Sequence, residues 1–170
     1  MESSTHKRLK VAALGFLKRK CRDIVANEVK FRRMKSIADA VGINISKKEV
    51  RVIEVKATLA DYKRDKKLFN KETSYFGHCT YFYIACPPGI IKKEDIIPGT
   101  GLLYIDEHNN VEVIQNPTKN DKLHTRYDTT LKNTVRVLTN CLLFKYHNIA
   151  EEVPGFDKYS KKRRRRRRKK

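Results

Sequence analysis

No stretch of this 170-residue chain approaches the ~18 consecutive apolar residues that a membrane-spanning helix needs. The apolar segment Val11 to Leu17 is short and has lysines on both sides, which excludes a secretory leader. It reads instead as part of an amphipathic helix from about Lys7 to Arg22. Cysteine is sparse: Cys21, Cys79, Cys86 and Cys141 are scattered, form no C-x-x-C, and lack the spacing of a zinc site. They read as reduced, mostly buried thiols. There is no glycine-rich phosphate loop, no Ser-His-Asp order, no H-x-E deaminase motif and no internal repeat, so those enzyme classes drop out. These absences predict an intracellular protein without a membrane or small-molecule cofactor, cytoplasmic or DNA-associated, and nuclear only in a eukaryotic host.

Acidic residues are also in deficit. Lysine and arginine number 39 against 19 aspartates and glutamates, a net charge of +20. The last ten residues, Lys161 to Lys170, are all basic; without them 29 cations face 19 anions, leaving +10. A phosphate-rich partner is the natural expectation, with affinity drawn largely from counterion release. The tail, including Arg163, Arg164, Arg165, Arg166, Arg167 and Arg168, offers nothing to bury and repels itself. It reads as a disordered arm that raises encounter rate and nonspecific affinity. A solubilising tail or a nuclear address would have the same composition. The expected layout is one domain over residues 1–153, followed by the tail over 154–170.

The most telling pattern is an aspartate and a Glu-x-Lys triplet inside strand-like runs. Asp39 lies within Ser36 to Ile43; fifteen residues later, Glu54 and Lys56 fall within Val50 to Ala57. Ionisable side chains in apolar strands are costly to desolvate and ask for a reason. Glu54 and Lys56, two apart on a strand, point to the same face. A neighbouring strand carrying Asp39 brings a second carboxylate alongside. Two carboxylates suit Mg2+ or Mn2+, hard ions that complete their shells with water and substrate phosphate. Such an ion activates a bound water and neutralises charge on a phosphodiester, and Lys56 would stabilise the negative transition state. A structural ion pair between Glu54 and Lys56 explains the triplet alone equally simply; the context favours the metal site.

That context is a resemblance. The Asp39…Glu54-x-Lys56 set across consecutive strands resembles the PD-(D/E)XK nuclease superfamily. More narrowly, Ile53-Glu54-Val55-Lys56-Ala57-Thr58-Leu59-Ala60-Asp61-Tyr62-Lys63-Arg64-Asp65-Lys66-Lys67 is similar to the segment VEVKSS-x-x-DF-x-x-DKKW of MmcB-like DNA repair proteins. The likeness extends over roughly residues 8 to 147, through Tyr81 to Pro88 and Gly101 to Asp106. Ala38 stands where the superfamily's proline often is, and Leu68 where the relatives often carry tryptophan. The resemblance implies Asp39 and Glu54 as metal ligands, the backbone carbonyl of Val55 as a further ligand, and Lys56 as the catalytic lysine. Glu28 matches an acidic position that completes the metal shell in some members; it reads equally as a strand-surface charge paired with Lys30 or Arg33. The implied activity is metal-dependent hydrolysis of DNA, with RNA as a weaker substrate class. The alternative is noncatalytic nucleic-acid binding on the same scaffold, which many superfamily members have adopted.

The remainder reads as scaffold. Thr58 and Asp61 open a helix in capping-box fashion. Lys63, Lys66, Lys67 and Lys71 then fall on one helical face beside Arg64, either a backbone-binding surface or an ordinary solvated face. Strands are expected at Ile24 to Phe31, Thr80 to Cys86, Gly101 to Ile105 and Val111 to Gln115, in addition to the two above. Tyr81, Tyr83 and Tyr104 read as core rather than base-stacking residues, and His78 as a cap or surface residue. A helix from about Asp128 to His147 has an apolar stripe at Leu131, Val135, Leu138 and Leu142. The order predicts an α/β fold, a restriction-endonuclease-like three-layer sandwich with a mixed central sheet flanked by helices.

Overall fold

In the computed structural model, residues 3–31, 37–69, 77–121 and 127–140 are described, with only the backbone of 66–69. Helix α1 (Ser4–Cys21) leads into three antiparallel strands, β1 (Ile24–Lys30), β2 (Ile37–Asn44) and β3 (Glu49–Val55). Helix α2 (Leu59–Phe69) carries the chain to β4 (Tyr81–Cys86), which runs parallel to β3; β5 (Gly101–Ile105) is parallel to β4, and β6 (Val111–Gln115) returns antiparallel. The sheet order is β1-β2-β3-β4-β5-β6, and α3 (Tyr127–Asn140) follows. The protein is therefore an α/β three-layer sandwich with a mixed central sheet, as the pattern of elements predicts. The chain divides into two compact units, residues 1–135 and 136–170. The expected boundary at 153/154 and the basic tail lie outside the described residues.

Local chemistry explains the elements. Ser3 caps α1, its hydroxyl accepting from the His6 N–H at 3.2 Å, and Thr58 caps α2 by accepting from the Asp61 N–H at 3.2 Å. The Asp61 carboxylate pairs with Arg64 at 2.9 Å. Leu9, Ala13, Phe16 and Leu17 of α1 lie in one core cluster with Ala40, Ile53, Val55, Tyr83, Ala85, Leu103 and Ile105. The opposite parity of the strands (Val41, Ile43, Val50, Val52, Phe82, Ile84, Cys86, Leu102) is buried as well. Both faces are covered, which is why these strands read as nearly continuous apolar runs. Among the described residues no helix is long and apolar enough to cross a membrane.

Two expectations need correction. The α3 stripe turns the other way: Tyr127, Thr130 and Thr134 are buried, whereas Val135 is 43% exposed and Leu131 and Leu138 are only half-buried. Thr134 Oγ1 donates to the Thr130 carbonyl at 2.9 Å, which lowers the cost of burying that hydroxyl. Leu142 lies outside the described residues. His78 is no surface cap either; it is buried and stacks on Phe31 with ring centroids 5.0 Å apart. The strand tyrosines do belong to the scaffold. Tyr83 meets Phe16 edge-on at 5.8 Å, Tyr104 Oη donates to the Ile91 carbonyl at 2.6 Å, and Arg51 lies 4.6 Å over the half-buried Tyr81 ring.

Cys21, Cys79 and Cys86 are free and buried. Burial pushes all three thiols up, Cys86 from its ordinary value of 9.0 to about 11. In the native state they are expected to resist alkylation at pH 8, with peptide mapping showing label only after denaturation. Their linkage sign is fixed as well. Unfolded thiols ionise at lower pH than the folded ones, so Cys86 makes the fold lose stability as pH climbs from about 9 to about 11. Cys86→Ala should flatten that part of a thermal-melt series against pH.

Candidate functional site

Strands β3, β4 and β5 are parallel, so their carboxyl ends open at one edge of the sheet, where α/β proteins commonly hold ligands. At that edge the β2–β3 ladder comes apart. Its pairs run from Asn44↔Glu49 to Ala40↔Ile53 and stop; continuing the register would set Asp39 opposite Glu54. The β1–β2 ladder has a matching irregularity. Asn27 pairs with Ala40 and Val29 with Ala38, while Glu28, opposite Asp39 by register, is skipped and has φ 54. That left-handed backbone costs a glutamate about 1–2 kcal/mol. Carried past the last paired residues, the registers align Glu28, Asp39 and Glu54 across three adjacent strands.

At the fork, Asp39 replaces the missing backbone partner. Its Oδ2 accepts the Val55 N–H at 2.8 Å. The Lys56 N–H goes the other way, to the Ala85 carbonyl of β4 at 2.8 Å. Alternate residues of a strand bond to opposite neighbours, so the polar backbone of Val55, carbonyl included, faces the β2 side. Glu54 and Lys56 are both buried, at 9% and 5% exposure. The Lys56 ammonium spans two carboxylates, 3.1 Å from Glu54 Oε1 and 2.7 Å from Asp65 Oδ2 on α2. Burial alone would depress the Lys56 pKa, but the charge of Glu54 and the hydrogen bond and charge of Asp65 outweigh it and hold the amine above its ordinary value. The two carboxylates thus favour the ammonium form of Lys56.

Sequence reasoning missed the contribution of α1. His6 Nε2 lies 3.2 Å from Asp39 Oδ1, and the buried Lys10 ammonium lies 3.2 Å from Glu28 Oε1 and 3.9 Å from Asp39 Oδ1. Glu28 is thus paired with Lys10; of the two partners the sequence suggested for it, Arg33 lies outside the described residues. Lys10 therefore does for Glu28 and Asp39 what Lys56 does for Glu54 and Asp65. One cue was present, a lone lysine on the apolar side of α1 next to Leu9 and Ala13. Asp65 carried no cue beyond its place in the family-like segment. Among the described residues, no three His, Cys, Asp or Glu side chains converge on one metal-sized point.

The other predicted residues stand apart. Lys63 is exposed on α2, while the Arg64 guanidinium is engaged by Asp61 at 2.9 Å and Asp65 at 3.7 Å, which offsets its charge. The side chains of Lys66 and Lys67, together with Lys71 and Arg163 to Arg168, lie outside the described residues.

No protein-family model and no curated protein matches the chain. Among solved structures it is similar to the SPO1766 protein of unknown function from Silicibacter pomeroyi, with a TM-score of 0.72 at 19% identity, over 87% of this chain and 95% of that one. That likeness concerns the fold alone.

Proposed function

We propose that this protein is a metal-dependent nuclease acting on DNA, with Asp39, Glu54 and the Val55 carbonyl as ligands for Mg2+ or Mn2+ and Lys56 as the catalytic cation. The observation that carries the reading is the row Glu28–Asp39–Glu54 at an opened strand fork, with Lys56 two residues beyond Glu54. Among the described residues four carboxylates (Glu28, Asp39, Glu54, Asp65) gather around two ammoniums (Lys10, Lys56) at this edge, oxygen donors of the kind a hard divalent cation takes. Bound there, the metal would lower the pKa of a water and offset charge on the scissile phosphate. Of the protein's own groups, Lys56 presents a permanent positive charge toward the phosphate. Asp65 fixes that ammonium, and His6 and Lys10 hold Asp39 and Glu28 in the row.

A second reading is a noncatalytic nucleic-acid-binding protein on the same fold. It draws on the cations already set against the described carboxylates. Incubating labelled single-stranded, duplex and branched DNA, and matched RNA, with Mg2+ or Mn2+ at low salt separates the two. The nuclease reading expects cleavage by the wild type and none by Asp39→Ala. Binding without cleavage on every substrate would transfer the assignment to the second reading, and cleavage confined to RNA would change the substrate.

A further inference from the structure

The acid cluster lies at the start of α1 and β2, and the described residues at the other end of these two elements include a group of cations. Helix α1 has no acidic residue in its 18 positions. Its first turns reach the active edge through His6 and Lys10; its last turn ends in Lys18, Arg19 and Lys20, with Arg22 just beyond. The β2–β3 turn adds Lys47 and Lys48 at the same place, because Asp23 Oδ2 accepts the Ile45 N–H at 2.6 Å and ties that turn to the end of α1. All six cations are exposed. Of the acids beside them, Glu49 is paired with Arg51 at 2.8 Å, while Asp23 accepts that N–H and keeps its charge; Lys18 Nζ donates to the Arg22 carbonyl at 2.6 Å. Cations in a last helical turn complement the helix dipole, which explains Lys18 to Lys20. It does not explain Arg22 or the two lysines supplied by a different segment.

One exposed face of α1 runs between the acid cluster and these cations. Ser4, Lys7, Val11, Gly15 and Lys18 form the exposed stripe of α1, at helical spacing and with no carboxylate among them. From His6 to Lys18 the helix rises about 18 Å, and β2 covers about 20 Å from Asp39 to Ile45. A duplex presents one phosphate charge per ~1.7 Å of its axis, so about six base pairs bridge that distance.

We infer that the end of the molecule formed by Lys18, Arg19, Lys20, Arg22, Lys47 and Lys48 is a docking surface for a nucleic-acid backbone, which runs along the outward stripe of α1 to the acidic edge. The choice of nucleic acid as the ligand rests on the nuclease reading; the surface itself does not. Its role is to supply phosphate contacts away from the carboxylates, and to set how far from the docked end the backbone meets Asp39.

The test is binding of the full chain to a labelled 20-base-pair duplex in chelator, where no cleavage occurs, over a range of salt. One variant carries Lys18→Glu, Arg19→Glu, Lys47→Glu and Lys48→Glu. A control carries the same charge change at the exposed Lys92, Lys93, Lys132 and Arg136. The docking variant is expected to bind at least ~10-fold more weakly and to lose about 3–4 from the slope of log K against log salt, at ~0.9 per phosphate contact, while the control keeps its slope to within about one. Equal losses in both variants would reduce the surface to general electrostatics and overturn the inference. So would loss of binding to an acidic peptide with duplex binding intact. Failure of the wild type to cleave in the metal assay sinks the nuclease reading and leaves this result standing.

Discussion

Replacing Glu54 with glutamine is expected to abolish metal-dependent cleavage, by on the order of 10³-fold or more, while the protein stays folded. The change removes the charge of a carboxylate that faces Asp39 by register and keeps its shape. Metal-assisted stabilisation is worth several kcal/mol, and each 1.36 kcal/mol is about tenfold in rate. Lys56→Met should lose about 10²–10³-fold, as expected for removing one preorganised donor. It should also lower stability, because Glu54 and Asp65 would be left facing each other without the ammonium that now spans them at 3.1 and 2.7 Å. Breaking a buried pair in this way costs about 3–5 kcal/mol. Asp65→Asn is expected to lose the least of the three, on the order of 10–100-fold, as for groups that orient a ligand without touching substrate. Single-turnover cleavage alongside thermal melts ranks the three. If Lys56→Met were to cut at the wild-type rate, Lys56 would be a structural residue and the assignment of its charge to catalysis would fail.

Gly101→Ala should be among the most destabilising single methyl additions in the sheet. A Cβ there would lie 2.5 Å from Tyr83 Cδ1 and 2.9 Å from both Tyr83 Cε1 and Pro117 Cδ. Neither neighbour can swing aside: the Tyr83 ring is buried against Phe16, and Pro117 is a closed ring. Overpacking of this kind costs about 1–3 kcal/mol, which for a domain of this size lowers the melting midpoint by roughly 5–10 °C. Gly42→Ala should follow the same direction, since its Cβ would meet Cys21 Sγ at 2.6 Å and Leu17 at 3.2 Å, where α1 presses on β2. Gly15→Ala should do the reverse. That helical glycine is exposed and would meet only the Arg19 side chain at 3.8 Å, so alanine should add up to about 1 kcal/mol through helix propensity. A melt series with the three variants gives two signs from one substitution type; a stabilised Gly101→Ala would mean that β4 and β5 approach less closely than described.

What the amino-acid order determines here is local. Strand periodicity places Glu54 and Lys56 on one face, Thr58 announces the start of α2, and the apolar run Phe82 to Cys86, with the largely apolar Val50 to Val55 interrupted by Arg51 and Glu54, calls for a sheet covered on both sides. These follow from neighbours a few residues apart, whose geometry is set by backbone repeat alone. Tertiary structure decided what depends on register and on the rotation of helices. The same apolar period in α3 fits two rotations, and the buried side is Thr130 and Thr134 rather than Leu131 and Val135. His6 and Lys10 are 33 and 29 residues from Asp39 in sequence, and no spacing rule connects them to it. Lys18 to Arg22 and Lys47 to Lys48 read as separate charge runs until one hydrogen bond from Ile45 to Asp23 brings them together. Charge acts through space with no periodicity along the chain, so the ionisable residues were visible in the sequence while most of their partners were not.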